Sequence, residues 1–312
     1  MTNHPVQSFT RSTSARGFTV VELLVAISVL TLIVLVLYGL FDQVQKALRG
    51  NIAQVDVLEG GRATMQLLST EMEQMDPGSV PDSTNLFISI TAPPYQQAML
   101  DPGTNRLNLL DQVFFVSHLN KTWIGTGYRV LFLNNNGIPA ALAENGVGTL
   151  CRYSFTNVTD SDFPNVPPPP NNPNSPRTNL FWQVMNRVLM NGIANPPPGN
   201  LTNYQPVLDG VVHFHVRAFD KNGLLITDSV NTNIASGFQI SSNRFNNEVE
   251  YAYTFTNQAL PSYLEVNLGI LEPHVLERFK GFPNSTVASN YLARQAGAVH
   301  LFQQRIPVRT AK

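Results

Sequence analysis

The chain has 312 residues, enough for one large domain or two modest ones. Its 20 lysines and arginines nearly balance 21 aspartates and glutamates, so it lacks the basic surplus of a nucleic-acid-binding protein, and we expect no nucleic-acid partner. Charged residues make up only 13% of the chain, which suits an envelope or extracellular protein better than a cytosolic one. The single cysteine, Cys151, excludes an intrachain disulfide and a multi-cysteine metal site.

Residues 18–41 read FTVVELLVAISVLTLIVLVLYGLF and contain one charged residue, Glu22. As a helix this segment would be about 36 Å long, more than the ~30 Å hydrocarbon core of a bilayer, so it predicts one membrane span. Residues 1–17 carry Arg11 and Arg16 and no acidic residue. The positive-inside rule therefore places them in the cytoplasm and the rest of the chain outside. The apolar run is too long for an ordinary secretory signal, so cleavage after it is not expected.

The junction of these segments, RGFTVVELLVA at residues 16–26, resembles the type IV prepilin signature of pilins and type II secretion pseudopilins. The resemblance implies that a prepilin peptidase cuts between Gly17 and Phe18 and methylates the new amine of Phe18. It also implies that Glu22 pairs with the Phe18 amine of an adjacent subunit during filament assembly. A carboxylate this deep costs ~2.5 to 3.5 kcal/mol on insertion scales and so needs a partner or a function. The alternative is a carboxylate that reaches back to the membrane interface.

Beyond the span, apolar residues recur at intervals of three and four, which predicts an amphipathic helix over 42–76 that continues the span. They are Val44, Leu48, Ile52, Val55, Leu58, Met65, Leu68, Met72 and Met75. Gly60 and Gly61 are its weakest predicted point, because glycine costs ~1 kcal/mol relative to alanine in a helix. The DPG sequence at 76–78 predicts an end near Met75. A plain membrane anchor followed by a core helix would show the same periodicity.

After residue 77, short apolar runs separated by turn residues predict strands. They cover 86–90, 112–118, 128–133, 149–156, 211–219, 224–227, 248–256 and 263–269, and helices at 272–278 and 289–296 precede an extended segment at 299–308. In the clearest strand, Val212, Phe214, Val216 and Ala218 alternate with polar residues and predict one buried face. The predicted fold class is α+β, with a long N-terminal helix packed on a mainly antiparallel β-sheet head over 77–312.

Two proline-rich insertions, at 163–177 and 195–200, cannot join a sheet interior because proline lacks a backbone donor. We expect them to be exposed spacers, and the alternative is a polyproline ligand for an aromatic groove. Between them, apolar residues at helical spacing predict a helix over 178–192 that packs on the sheet.

Further segments of the chain carry narrower resemblances. The strand at 210–219 and the Leu-Pro-x-x-Leu-x-Val sequence at 260–266 resemble segments of the J-type minor pseudopilins of type II secretion. The whole chain, including LEGGR at 58–62 and QQRIPVR at 303–309, also resembles the prepilin-like cassette proteins known as Verru_Chthon.

Few residues of the head suggest chemistry. His213 and His215 are two apart on a predicted strand, a spacing that suits a metal, but no third ligand is evident, and a partly exposed strand face beside Arg217 explains the pair. The DKNG sequence at 220–223 indicates a hairpin turn, because the glutamate that closes an EF-hand loop is missing from position twelve. Cys151 is interpreted as a buried structural thiol and not as a nucleophile.

Trp123, with Lys121 and Tyr128, belongs either to a partner-binding surface or, as we expect, to a strand pair whose aromatic rings face the core. The sequence contains no Gly-x-Ser-x-Gly elbow, phosphate loop, dinucleotide fingerprint or His-Glu-x-x-His helix. We therefore expect no enzyme activity, no cofactor and no metal.

Together these features predict a minor pseudopilin in the inner membrane, processed by prepilin peptidase and assembled into a type II secretion-type pseudopilus. The expected partners are the peptidase, other pseudopilins or pilins, inner-membrane lipid and an exported protein. One alternative is a minor pilin of a type IV pilus that serves adhesion or DNA uptake, although the sequence shows no basic, aromatic patch for DNA. Another is a membrane-tethered extracytoplasmic binding or hydrolytic domain that carries a prepilin leader.

Overall fold

The structure is a computed structural model that describes residues 17, 19–77, 84–91, 95–98, 105–119, 122–134, 136–143, 146–157, 204–227, 238–245, 248–256, 259–282 and 285–309. The chain divides into two compact units, Met1–Ile52 and Ala53–Lys312. Helix α1 (Val20–Met72) begins in the first unit and ends in the second, which confirms the predicted long N-terminal helix.

Helix α1 ends at Met72, before the predicted end near Met75. Met75 instead forms a β-bridge with Ser117, and the amide of Asp76 donates a hydrogen bond to the carbonyl of Val116 at 3.2 Å. This pairing pulls the chain out of the helical path before the proline at 77. The end of the helix is thus set by a neighbouring strand as well as by the local DPG sequence.

The remainder of the second unit is rich in β-structure. Its strands among the described residues are β1 (Thr84–Ile90), β2 (Tyr95–Ala98), β3 (Asn105–Asn108), β4 (Asp111–Leu119), β5 (Thr122–Leu133), β6 (Pro139–Leu142), β7 (Gly148–Asn157), β8 (Gln205–Phe219), β9 (Phe238–Phe245), β10 (Glu248–Thr256), β11 (Tyr263–Leu271) and β12 (Val299–Pro307). Two short helices, α2 (Pro273–Lys280) and α3 (Ser285–Ala293), lie between β11 and β12 in the chain.

One large sheet contains all of these strands except β2 and β3, which pair with each other. Its order is β12-β11-β8-β7-β5-β4-β1-β10-β9, with β6 added beside β5, and each of the pairings between strands is antiparallel. Leu110, which directly precedes β4, also forms an isolated parallel bridge with Phe214 in the middle of β8. The α+β fold class with a mainly antiparallel head is therefore confirmed.

The main core of the second unit lies between the end of α1 and one face of the sheet. Leu68 and Met72 of α1 are fully buried in it, together with apolar residues of β8 and β11 such as Phe214 and Val266. Only part of the predicted apolar stripe is buried, because burial in α1 begins at Val57. The earlier residues of the stripe are about half exposed or more: Val44, Leu48, Ile52 and Val55.

Gly61 allows the helix to approach the sheet closely. A Cβ placed on Gly61 would lie 2.3 Å from the ring of Phe302 in β12 and 2.9 Å from Ile270 in β11. A larger residue would fit at these distances only if the side chains of Phe302 and Ile270 moved, so glycine allows the closest packing at this contact. The residue that weakens the helix as a local structure is therefore the one that lets it pack.

Several strand predictions need correction. The predicted strand at 224–227 is wrong: the chain there makes a single bridge, between Leu225 and Phe219. The predicted single buried face of β8 is split, because a register shift against β11 sends Val212 into a second core cluster with Val275 and Leu292 of α2 and α3. Strands β2, β3, β6 and β9 were not predicted, since they are short or rich in polar residues.

The remaining predicted segments either agree with the structure or lie outside the described residues. The predicted helices near 272–278 and 289–296 correspond to α2 and α3, and the extended segment at 299–308 corresponds to β12. The proline-rich insertions at 163–177 and 195–200 and the predicted helix at 178–192 lie outside the described residues.

Candidate processing and assembly site

The predicted cleavage site precedes α1. Gly17 is exposed, and a Cβ placed on it would meet no described atom within 4 Å. Phe18, the predicted new N-terminus, lies outside the described residues. Among the residues that the structure describes, nothing covers Gly17, as access by a peptidase would require.

Glu22 takes part in a reciprocal cap at the start of α1. The backbone amide and the hydroxyl of Thr19 both donate to Glu22 Oε2 at 3.0 Å, and the amide of Glu22 donates to Thr19 Oγ1 at 3.3 Å. This arrangement is a capping box, which satisfies amides at the helix start that have no partner within the helix. We did not predict the role of Thr19, although a Thr-x-x-Glu sequence before an apolar run is the signature of such a cap.

The cap occupies only one of the two carboxylate oxygens of Glu22. Both bonds from Thr19 reach Oε2, and Oε1 has no hydrogen-bond partner among the described residues. The negative charge also lies in the first turn, where it interacts favourably with the helix dipole. Glu22 can therefore hold the helix start through one oxygen and accept a further donor through the other.

The first unit has the properties of a membrane anchor. Helix α1 contains an 18-residue window with a mean hydropathy of 3.0, and none of that window is buried. The hydroxyls of Ser28 and Thr31 donate to the carbonyls of Val25 and Ile27 at 2.9 and 2.8 Å. These two hydroxyls are thus satisfied inside the helix, as a lipid environment requires.

In the head, His215 of β8 is buried, with 4% of its surface exposed, so the predicted partly exposed position is wrong for this residue. His213 and Arg217 on the same strand are partly exposed, as predicted. Its Nδ1 lies 2.8 Å from Asp111 Oδ2, and its Nε2 lies 3.1 Å from Glu250 Oε2. Burial lowers the pKa of His215, but the two carboxylates outweigh burial and raise this pKa to about 9. His215 is therefore a charged imidazolium held between carboxylates from β4 and β10.

His213 has the opposite charge state. The amide of Leu109 donates to its Nδ1 at 3.0 Å. Burial, with the nearby positive charges of His215, Arg106 and Arg217, lowers the pKa of His213 to about 3, so the ring is neutral. Within the described residues, no group of three or more His, Cys, Asp and Glu side chains is arranged to hold a metal ion. The two histidines differ in protonation and belong to a hydrogen-bonded polar cluster.

Glu71 anchors the end of α1 to the sheet, a role that we did not predict. Its Oε2 accepts the hydroxyl of Tyr128 at 2.5 Å and Nε of Arg152 at 3.0 Å, while Nη2 of Arg152 lies 2.7 Å from Oε1. Tyr128 is fully buried and stacks on Phe115, so its predicted core position is confirmed. Lys121 and the side chain of Trp123 lie outside the described residues.

Two simpler expectations are also confirmed. Cys151 is buried and free, and burial together with the charge of Asp209 raises the pKa of its thiol to about 12, so it is a protonated structural residue. Asp220 opens a turn in which its Oδ1 accepts the amides of Asn222 and Leu224 at 2.9 and 2.8 Å. The turn contains Gly223 at φ 78°, a conformation that favours glycine.

Comparisons with known proteins bear on the N-terminus alone. Residues 12–38 match the family described as the prokaryotic N-terminal methylation motif. No curated protein and no solved structure matches the chain. The match includes Gly17, Phe18 and Glu22, the residues predicted for processing and assembly.

Proposed function

Because the chain carries a type IV prepilin-like N-terminus, we propose that it is a minor pseudopilin, processed by prepilin peptidase and assembled into a type II secretion-type pseudopilus. The observation that carries the proposal is the methylation motif at 12–38, which continues into an exposed apolar helix with one carboxylate, Glu22, in its first turn. In this role the N-terminus is cytoplasmic, the helix lies in the inner membrane and the head is extracytoplasmic. The protein acts by assembly and not as an enzyme.

Assembly would exchange lipid contacts of the apolar helix for contacts with other subunits. Glu22 would pair with the Phe18 amine of a neighbour and so remove two unpaired charges from an apolar medium. The free Oε1 of Glu22 supports this pairing, because the amine can be bound without breaking the cap that Oε2 makes with Thr19. Removal of residues 1–17 takes away Arg11 and Arg16, which leaves 18 basic against 21 acidic residues in the mature subunit.

The choice of a pseudopilin over a pilin rests on the head. The two segments that resemble J-type minor pseudopilins, at 210–219 and 260–266, fall mainly in β8 and β11. These strands pair with each other and form part of the core that receives α1. The resemblance thus covers one contiguous part of the head and not two unrelated stretches.

The first experiment is N-terminal mass analysis of protein extracted from membranes with and without an active prepilin peptidase. We expect a chain that begins at Phe18 with one added methyl group in the first sample and at Met1 in the second. An intact Met1 terminus in the presence of the peptidase, or a cut beyond Phe41, would refute the proposal.

The second experiment separates processing from assembly through Glu22→Ala, measured by crosslinking of subunits in membranes and by cleavage in the same samples. Loss of the carboxylate makes insertion easier by ~2.5 to 3.5 kcal/mol, so processing should survive, whereas an unpaired amine in the filament typically costs several kcal/mol. Assembly should therefore fail, and Glu22→Asp should be intermediate. Asp42→Ala, which removes an exposed carboxylate from the same helix, is the matched control and should assemble. Normal crosslinking by Glu22→Ala would show that the carboxylate is not needed for assembly.

The third experiment distinguishes the pseudopilus from a surface pilus. Cells are sheared, and the subunit is measured in the released filaments and in the envelope. A pseudopilin should remain with the envelope, whereas recovery in sheared surface filaments would favour the minor-pilin alternative.

A further inference from the structure

The sheet carries a polar cleft of about 260 Å³ on the side that faces away from residues 53–72 of α1. Along β8, Phe214 and Val216 belong to the core under α1, so strand alternation turns their neighbours to the other side. The charged and polar side chains of the cleft come from β3, β8, β10, β11 and β12, and those that matter most are Arg106, His213, His215, Arg217, Glu250 and Asn267. The cleft lies within the second unit, so its interpretation is independent of the proposed assembly role.

Hydrogen-bond donors dominate this lining. Nε of Arg106 and Nε of Arg217 are buried and have no hydrogen-bond partner among the described residues. Nε2 of His215, by contrast, is paired with a carboxylate oxygen of Glu250 at 3.1 Å. His213 accepts a bond at Nδ1, so its neutral ring carries the proton on Nε2. Buried donors without partners are unfavourable, and an acceptor placed in the cleft would satisfy them.

Within the described parts of the chain, one cation of the cleft has no carboxylate partner. Arg217 pairs with Glu265 at 2.8 Å, and the charged His215 lies between the two carboxylates described above. Among the residues that the structure describes, Arg106 donates to a neutral acceptor, Oε1 of Gln97, and to no carboxylate. Burial lowers the pKa of Arg106, which shows that its charge is partly desolvated. A half-buried guanidinium without a carboxylate is a costly arrangement, and an anionic ligand would relieve it.

We propose that this cleft binds one carboxylate group, with Arg106 and Arg217 as its principal donors. The planar guanidinium matches a carboxylate through paired N–H donors. A phosphate dianion fits less well, because Glu250 lies on the wall and would repel the second negative charge. The volume equals roughly nine waters at ~30 Å³ each, which suits a short acidic side chain.

The cleft is open to such a ligand. The side chain of Arg217 is 37% exposed, and Leu301 at the rim is 57% exposed. The carboxylate can belong to an acidic side chain of a neighbouring protein or to a small free acid, since both present the same group to the arginines. The two sources differ in what else they contact, so they are separated by comparing probes.

The test uses the full-length chain in detergent micelles with isotope-labelled histidine. The chain has only six histidines, and the imidazole signals of His213 and His215 are assigned by their loss in His213→Gln and His215→Gln. The probe is N-acetyl-glutamate N-methylamide, with its glutamine analogue as the neutral control. We expect the glutamate probe to shift both imidazole signals and the glutamine probe to leave them unchanged. Equal shifts with both probes, or no shift with the glutamate probe, would overturn the proposal.

Variants then assign the donors. Arg106→Gln should weaken binding of the glutamate probe tenfold or more, because a hydrogen bond to a charged group is lost, and Arg106→Lys should retain part of it. Arg62→Gln removes an exposed arginine of α1 that does not line the cleft, and it should bind as the parent does. Unchanged affinity in Arg106→Gln would refute the assignment. If that variant does not fold, the comparison of the glutamate and glutamine probes on the parent protein still tests whether the cleft binds a carboxylate.

The source of the carboxylate is read from a second comparison. Tighter binding of the glutamate probe than of acetate by tenfold or more indicates an acidic side chain within a polypeptide. Equal affinity for the two probes indicates a small free acid. Both results support a carboxylate site. If neither probe binds, the proposed carboxylate site is refuted, but the proposed processing and assembly are not affected.

Discussion

Helix α1 joins two regions with opposite relations to solvent. No described residue of 19–52 is buried, whereas residues 53–72 bury seven side chains or glycines against the sheet. Leucine, valine and glycine occur in both stretches, so the difference is one of partners and not of residue type. The apolar surface of the first stretch is available to lipid or to other subunits. The apolar surface of the second stretch is buried against the head. Substitutions of the same kind should therefore have different effects in the two stretches.

The largest difference is expected for leucine truncation. Leu68 is fully buried, and Leu68→Ala should lower the free energy of unfolding of the head by about 2–5 kcal/mol, because it removes buried carbon atoms and leaves a cavity. Leu48 is 54% exposed, and Leu48→Ala should change this free energy by less than about 0.5 kcal/mol. Urea unfolding of the full chain in detergent micelles measures both. Equal losses would mean that the two stretches do not differ as described.

A pH dependence of stability should belong to the second unit alone. His215 has a pKa raised to about 9 by Asp111 and Glu250 against the effect of burial, compared with about 6.5 unfolded. Its stabilising contribution is complete below pH 6.5 and is lost as pH rises through 9. The free energy of unfolding should therefore fall by at most about 3 kcal/mol over this window. His215→Gln should flatten the slope measured by urea unfolding at several pH values, and a slope unchanged in that variant would show that other groups cause it.

Glycine substitutions test the close approach of helix and sheet. Gly61→Ala places a Cβ 2.3 Å from the ring of Phe302, so it should destabilise the head by about 1–3 kcal/mol in spite of the better helix propensity of alanine. At Gly50 such a Cβ would meet no described atom within 4 Å, and Gly50→Ala should leave head stability unchanged or slightly raised. Thermal unfolding of both variants provides the comparison. A neutral Gly61→Ala would show that Phe302 moves aside without cost.

The smallest expected effect lies at the start of the first unit. Thr19→Ala removes the hydroxyl of the capping box, and loss of an N-cap costs about 0.5–2 kcal/mol of helix stability. Amide hydrogen exchange should become faster in the first turn of α1, while exchange in the head stays as in the parent. Thr19→Ser keeps the hydroxyl and should exchange as the parent does. Faster exchange throughout the head would contradict the independence of the two regions.

Much of the fold was predictable because the signals are local. The methylation motif, the apolar run and the period of three and four residues predict the span and the helix that continues it, since each depends on neighbours within a few turns. The alternating strands β8, β10 and β11 were found for the same reason. Strands β2, β3, β6 and β9 were missed because their pairing partners, and not their own composition, place them in sheets.

The candidate site also contains residues that local sequence patterns predict and residues whose state depends on tertiary contacts. The sequence by itself predicts Gly17, Phe18 and Glu22 as processing and assembly residues, and these three lie within the matched methylation motif. The Thr-x-x-Glu signature of the cap is also visible in the sequence. Only the tertiary structure decided that His215 is buried and charged, because Asp111 and Glu250 come from strands distant in the chain. It also decided where along α1 burial begins and that Gly61 lies at a close contact with the sheet. Burial and charge pairing depend on contacts between distant segments, and no local pattern of residue types specifies which segments meet.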